Sequence, residues 1–201
     1  MTILLVRHGE TRWNLERRYQ GRFDSPLTAR GMAQARAIGR LLAALPEAAA
    51  APIVASPQGR AYRTAAIIHE RLRAVGPIAV DDRLRELSLG SWDGLTYAEI
   101  EARSPGIFAA DGHHEWYFRS PDGESYEAFE IRLSDWLGAL DRSRPVIVVA
   151  HGLVSRMLRG FCAGLPRDVA LSLPVPQDRV FRLGDSTIDE LAVPVGSDQR
   201  G

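Results

Sequence analysis

The chain has 201 residues, enough for one well-buried core and too few for two comfortable domains, so a single domain over 1–201 is expected. Its 25 basic and 25 acidic side chains cancel, which removes any field-level case for a nucleic acid or membrane surface as partner and leaves room for a small anion. The single cysteine, Cys162, rules out an intrachain disulfide, and the absence of lysine excludes Walker-type and Schiff-base lysine chemistry and leaves phosphate recognition to arginine, whose planar fork matches phosphate oxygens two at a time.

In chain order, Ile3-Leu4-Leu5-Val6 is a continuous apolar run of the kind buried on both faces of a parallel sheet, and it ends at Arg7-His8-Gly9. Interrupted at once by charge, it is neither a signal peptide nor a membrane span, and a cytoplasmic location is expected. Leu27–Leu45 repeats at helical spacing, with Ala33, Ala37, Ile38, Leu41, Leu42 and Leu45 inward and Thr28 as N-cap. Ile53-Val54-Ala55 is a second strand stopped by Ser56-Pro57, and Ala61, Ala65, Ile68 and Leu72 mark a helix from Arg60 onward. Ile78-Ala79-Val80 reads as a third strand, followed by an irregular polar loop, Arg83–Gly94, that carries Glu86.

Thr96 to Glu99 has the form of a capping box opening a short helix, and Phe129, Leu133, Trp136, Leu137 and Leu140 stripe a longer helix beginning near Ser125. The strongest strand, Val146–Ala150, ends at His151-Gly152 ahead of an apolar helix, Leu153–Phe161. Val180–Leu183, Gly184-Asp185 and Ile188–Val193 read as a terminal hairpin. This alternation predicts an α/β fold, a three-layer α/β/α sandwich with a mostly parallel sheet, in which ligands sit beyond the carboxyl ends of the strands.

Three strands end in groups suited to phosphate: Arg7 and His8, then Ser56 with Arg60, then His151. Singly, each has an ordinary reading: Arg7 as a buried ion pair, Arg60 as a helix-surface arginine, a histidine satisfying backbone carbonyls, and Glu86 as a solvated loop carboxylate. Their convergence on strand ends favours a site. Asp111, His113, His114 and Glu115 form a weaker cluster. Neighbouring histidines in a polar loop seldom face one ion, so no metal is expected and the segment is read as a substrate-side loop. Trp116, Tyr117, Phe118 and Arg119 beside it either line a pocket mouth or pack the loop down. Cys162 reads as a packed helical cysteine.

Leu5-Val6-Arg7-His8-Gly9-Glu10-Thr11 with Asn14 closely resembles the defining motif of the histidine phosphatase superfamily, the phosphoglycerate mutase-like proteins. Ser56-Pro57 with Arg60-Ala61 and Thr64-Ala65 resembles the family's second element, Leu84-Arg85-Glu86-Leu87 with Gly90, Trp92, Asp93 and Gly94 its acid loop, and Ala150-His151-Gly152 its last. Gly21, Pro26-Leu27-Thr28 and Gly123-Glu124-Ser125 match weaker positions between them.

The resemblance implies a covalent mechanism in two in-line steps, with no cofactor and no metal. His8 would be the nucleophile, its other ring nitrogen held by a backbone carbonyl that fixes the tautomer. Arg7, Arg60 and the cationic form of His151 would hold the non-transferring oxygens, with Asn14 as a neutral donor and the backbone of Gly152 and Leu153 at the phosphate. Glu86, in a partly desolvated setting, would protonate the leaving oxygen and then take a proton from the attacking water.

Within the family, a phosphohistidine is discharged either to water or to a second hydroxyl. The chain lacks the longer insertion and the lysine-containing stretch of cofactor-dependent phosphoglycerate mutases, and Leu87–Gly94 is similar to the family's small phosphatases, so hydrolysis of a small phosphorylated metabolite is expected. Enzymes acting on alpha-ribazole phosphate or on broad phosphomonoesters are the nearest types. A mutase and a non-catalytic phosphate-recognition module are the alternatives, and the intact set of His8, Arg7, Arg60, Glu86 and His151 argues against the latter. Two departures bear on substrate: Leu153 stands where a second glycine often follows, and Arg63 where glutamine is common. Oligomeric state does not follow from periodicity, and a homodimer is carried as a bare expectation.

Overall fold

The structure, a computed structural model, describes residues 2–109, 114–184 and 186–193. Six strands form one sheet in the order β3-β2-β4-β1-β5-β6, namely β1 (Ile3–Arg7), β2 (Ile53–Ala55), β3 (Ala79–Val80), β4 (Val146–Ala150), β5 (Arg179–Leu183) and β6 (Ile188–Ala192). β1 to β4 run parallel, and β5 and β6 pair antiparallel as the expected terminal hairpin. Of that hairpin's predicted turn, Asp185 lies outside the described residues.

Strand alternation divides the interior in two. Ile3 and Leu5 of β1 with Val146, Val148 and Ala150 of β4 face one core, which α5 (Tyr126–Gly138), α6 (Gly152–Ala163) and α7 (Arg167–Ser172) complete through Phe129, Leu133, Trp136, Met157, Leu158 and Leu171. Leu4, Val6, Ile147 and Val149 face the other, closed by α2 (Ala29–Ala43) and α3 (Gly59–Leu72) through Ile38, Leu42, Ala61, Ala65 and Ile68. The three-layer α/β/α sandwich is therefore the observed fold. Cys162 is half-buried in α6 and packs against the first core.

The inward face of α2 differs from the predicted stripe. Ala33 is exposed and Ala37 half-buried, while Gly31, Ala35, Ile38, Gly39 and Leu42 are buried. The helix is rotated because its glycines permit close approach: a β-carbon on Gly31 would stand 2.0 Å from the Glu10 carbonyl oxygen, and one on Gly39 would stand 2.7 Å from Cβ of Arg71. Gly9 is crowded in turn, 2.3 Å from the Gly31 carbonyl oxygen by the same construction. The turn after β1 is thus seated directly on α2.

Short elements surround the sheet's carboxyl end. α1 (Arg12–Leu15) opens on a capping box in which Thr11 accepts from Asn14 N and Asn14 Oδ1 accepts from Thr11 N. The predicted Thr96–Glu99 box is present and opens α4 (Tyr97–Arg103). The predicted loop after β3 contains two single 3-10 turns, Asp82–Leu84 and Gly90–Trp92, on either side of Glu86.

Candidate active site

β1 and β4 are parallel neighbours with Arg7 opposite Ala150, so the residues that follow them leave the sheet side by side. The His8 amide closes the ladder by donating to the Ala150 carbonyl at 3.0 Å. The rings of His8 and His151 consequently lie 5.3 Å apart, and they are 2 % and 0 % exposed. His8 Nδ1 sits 2.8 Å from its neighbour's carbonyl, Gly9 O. A carbonyl only accepts, so the proton belongs on Nδ1 and Nε2 keeps its lone pair. Burial above all, then Arg60 and Arg7, hold the His8 imidazole well below the usual histidine range against the opposing pull of the Gly9 carbonyl.

Arg60 comes from the first turn of α3 and is 2 % exposed, not a helix-surface arginine. Its Nη1 bonds Asp24 Oδ1 at 3.1 Å and its Nη2 the Gly21 carbonyl at 3.0 Å, while Thr64 below it ties Gly9 N to the Arg60 carbonyl. Gly21 is at φ +49° and its Cβ would collide with Asp93, which only glycine avoids. Arg7, drawn down to about 10 chiefly by burial, places Nη1 on the Val175 carbonyl. It is still charged at neutral pH.

Both arginines and His8, together with Asn14, Glu86 and Gly152, line a cavity of about 150 Å³ at this sheet end. Three buried nitrogens here lack a partner: Arg7 Nε, Arg60 Nε and His151 Nδ1. Buried donors are rarely left so, and the two guanidinium N–H groups, on residues that end or follow different strands and line the cavity, mark a place for an anion with several acceptor oxygens. Asn14 Oδ1 takes hydrogen bonds from Thr11 N at 3.1 Å and Gln177 Nε2 at 3.0 Å, so the amide group is what this side chain can offer the cavity.

Glu86 reaches the same space from its loop. Its Oε2 accepts from Leu153 N at 3.2 Å and its Oε1 from Leu87 N at 3.1 Å. The first of these places the Leu153 amide, expected at the phosphate, on the Glu86 carboxylate. The open N–H groups at the start of α6 attract the nearest carboxylate, and in the described fold that is Glu86. The Leu153 side chain is itself buried in the core and borders the cavity. A β-carbon on Gly152 would stand 3.7 Å from both Arg7 Nε and Glu86 Oε2.

His151 is expected to hold phosphate in its cationic form. Burial first, then Arg60, His8 and Arg7, push its imidazole well below the usual histidine range, so the ring is neutral before an anion adds its charge. Its Nε2 is 2.7 Å from Ser56 Oγ. Both buried rings make stability depend on pH with a definite sign. Their folded values lie below 6.5, so acid protonates the unfolded chain first. Stability is fully present above about pH 6.5 and is lost as pH falls, by up to about 1.4 kcal/mol per unit for each ring. Denaturant unfolding at about pH 7 and about pH 5.5 is expected to show this loss, reduced in His151→Asn; equal losses in the two proteins would contradict it.

Several contributors carried no motif. Gln58 links the Glu86 amide, 2.6 Å from its Oε1, to the Gly21 carbonyl, 2.8 Å from its Nε2. Arg132 forms a two-pronged bond with Glu124 at 2.6 and 2.9 Å and also donates to the carbonyls of Arg83 and Glu86, which fixes the acid loop from outside. Burial pushes Glu124 up, but Arg132, Arg22 and the Ser88 amide together outweigh it and leave the carboxyl below the usual range. Leu173, Pro174 and Val175 have their carbonyls held in succession by Arg156, Arg159 and Arg7. Arg156 was findable, since it lies four residues after Gly152 and so shares its helix face.

Of the remaining predicted residues, Tyr117 lines the cavity, whereas Trp116 packs against Tyr19 and Phe108, and Phe118 against Tyr126. Arg63 is exposed and borders a shallow hollow with Asp24 and Met32, apart from the cavity's walls. Glu115 pairs with Arg167, while Asp111 and His113 lie outside the described residues. Among the described residues no helix is long and apolar enough to cross a membrane.

Neighbouring parallel strands that bring two buried histidines together, one of them lining an arginine-walled cavity, form the arrangement of a phosphate-transferring enzyme. Residues 3–184 match the profile of the histidine phosphatase superfamily (branch 1), and the chain belongs to that family. Relatives include Probable phosphoglycerate mutase GpmB of an Enterobacter species, 38% identical over 175 residues that cover 83% of this chain and 76% of the relative. Glucosyl-3-phosphoglycerate phosphatase of Mycobacterium tuberculosis is 35% identical, covering 82% of this chain and 76% of the relative. Among solved structures, Bacillus stearothermophilus YhfR superposes with a TM-score of 0.78 at 31% identity, covering 95% of each chain. A mycobacterial glucosyl-3-phosphoglycerate phosphatase in complex with VO3 superposes with a TM-score of 0.77 at 30% identity, covering 96% of this chain and 99% of that one.

Proposed function

We propose that the protein hydrolyses small phosphomonoesters through a phosphohistidine on His8. The observation that carries this reading is the His8 ring itself, neutral, with Nδ1 committed to Gly9 O, in a cavity that it lines together with Arg7 and Arg60, whose Nε–H groups lack partners. In the first step Nε2 forms a bond to phosphorus as the P–O ester bond breaks, and Glu86 gives its proton to the departing oxygen. In the second, water attacks phosphorus, Glu86 takes the water's proton, and the N–P bond breaks to release inorganic phosphate. Arg7 and Arg60 offer their open Nε–H groups to the non-transferring oxygens as charge builds on them. His151 enters neutral and serves as a donor there, gaining a proton only as the dianion's charge reaches it. Gly152 keeps the approach to Arg7 Nε open, and the Asn14 amide closes one side.

Two features favour water over a second hydroxyl as acceptor: the lack of a longer insertion between the acid loop and His151, with Leu87–Gly94 similar to the family's small phosphatases, and the near-complete superposition on a phosphatase. No metal is required by this donor set, and the whole chain acts as one cytoplasmic domain. The decisive assay is phosphate release from a panel of phosphomonoesters with chelator present, alongside isomerisation of phosphoglycerate with bisphosphoglycerate added. Release that survives chelation and outpaces isomerisation is expected; isomerisation in excess would make the protein a mutase, and binding without turnover a recognition module.

A further inference from the structure

The cavity holds more positive charge than one phosphate needs. Four arginines line it, Arg7, Arg18, Arg60 and Arg156, against a single carboxylate, Glu86. Two of the four are neutralised from behind, Arg18 by Glu99 at 2.8 Å and Arg60 by Asp24 at 3.1 Å. Arg7 belongs to the phosphate position. Arg156 has neither role: among the described residues its hydrogen-bond partners are the Leu173 carbonyl, 2.7 Å from Nε, and the Tyr117 hydroxyl, 3.5 Å from Nη1. The first bond is backbone scaffolding that aims the guanidinium. The second is at the outer limit of a hydrogen bond and is readily exchanged for a better acceptor.

Arg156 and Tyr117 also stand on different elements from the phosphate groups. His8 and His151 follow strands, whereas Arg156 lies one turn inside α6 and Tyr117 in the 3-10 turn Trp116–Phe118. Helical side chains lean toward the helix N-terminus, which carries the Arg156 guanidinium back to the cavity wall. It comes near enough to Arg7 that the two charges disfavour each other. An unneutralised guanidinium beside a phenol, next to but separate from a phosphate position, is a fork for a planar anion.

We infer that Arg156, with Tyr117, forms a second-anion subsite, and that the preferred substrates are small phosphomonoesters carrying a further anionic group such as a carboxylate. The inference rests on the phosphomonoesterase reading and adds the substrate class to it. Closest-matched probes are 3-phosphoglycerate and glycerol 3-phosphate, which differ only in a carboxylate against a hydroxymethyl group. The wild-type protein is expected to favour the first in kcat/KM by on the order of tenfold, the effect of one charge-assisted contact. Arg156→Gln is expected to bring the two esters to near parity, chiefly by raising KM for the carboxylate ester, and Arg156→Lys to restore part of the preference. Loss of both activities in equal proportion in Arg156→Gln, or the absence of a preference in the wild type, would overturn the subsite. Calorimetric titration of both esters into His8→Ala, with and without Arg156→Gln, reads the same preference without turnover. If neither ester is hydrolysed, the phosphatase reading fails, and the calorimetric ratio alone decides the subsite.

Discussion

His8→Ala is expected to lower phosphate release by a factor on the order of 10⁴ or more, because the residue's own atom forms the intermediate and no neighbour can take its place. Among the described residues His151 is the only other imidazole at the site, and its Nε2 is occupied by Ser56. The arginines and their scaffolding do not depend on His8, so inorganic phosphate or a vanadium oxyanion should still bind to the variant. Rapid quenching of the wild-type protein into alkali during turnover of a radiolabelled ester should trap label that is stable to base and lost in acid, as a phosphoramidate is. Turnover by the variant at more than about a hundredth of the wild-type rate, or the lack of any base-stable label, would remove His8 from the chemistry.

Glu86→Gln carries the next largest effect, a fall in kcat of about 10²–10⁴ with KM nearly unchanged. The amide oxygen can keep one of the two backbone bonds, from Leu153 N or Leu87 N, which holds the side chain near its place while its proton transfer is lost. The loss should depend on the leaving group. A nitrophenolate departs without a proton, so the first step with p-nitrophenyl phosphate is spared, while water attack remains slow. A burst of nitrophenolate followed by a slow phase is therefore expected from the variant. A uniform loss across leaving groups with no burst would place Glu86 in a structural role instead.

What the sequence made legible follows from which interactions leave a pattern. β4, buried on both faces, shows as five consecutive apolar residues and was bounded correctly, and Thr28, Thr96 and Ser125 each cap the helix assigned to them. The convergence of Arg7, His8, Arg60 and His151 was likewise readable, since strand ends in a parallel sheet collect on one edge, whereas Glu86 joined them through the family resemblance; of the five, His151 lies beneath the cavity wall and the other four line it. The state of His151 was not, because its neutrality comes from burial and from the sum of charges on three separate segments. Leu153 illustrates a different limit: a backbone N–H looks identical in sequence whether it faces a ligand or a carboxylate. The rotation of α2 depended on Gly31 and Gly39, whose importance is the absence of a side chain and so escapes a count of apolar positions. Asp111 and His113 lie outside the described residues, and with them part of the weaker loop cluster.

The run of carbonyls at Leu173, Pro174 and Val175 makes arginine and lysine unequal in this chain. At positions 7 and 156 a single side chain divides its labour, one edge of the guanidinium fastening the cavity wall and another edge left toward the interior. An ammonium group gathers its three donors on one nitrogen and cannot span wall and guest with a planar fork, so Arg7→Lys and Arg156→Lys are not conservative despite keeping the charge. The wall and the binding position are thereby built from the same atoms. A chain free of lysine loses nothing by this, and it gains a cavity whose shape is set by the groups that recognise what enters it.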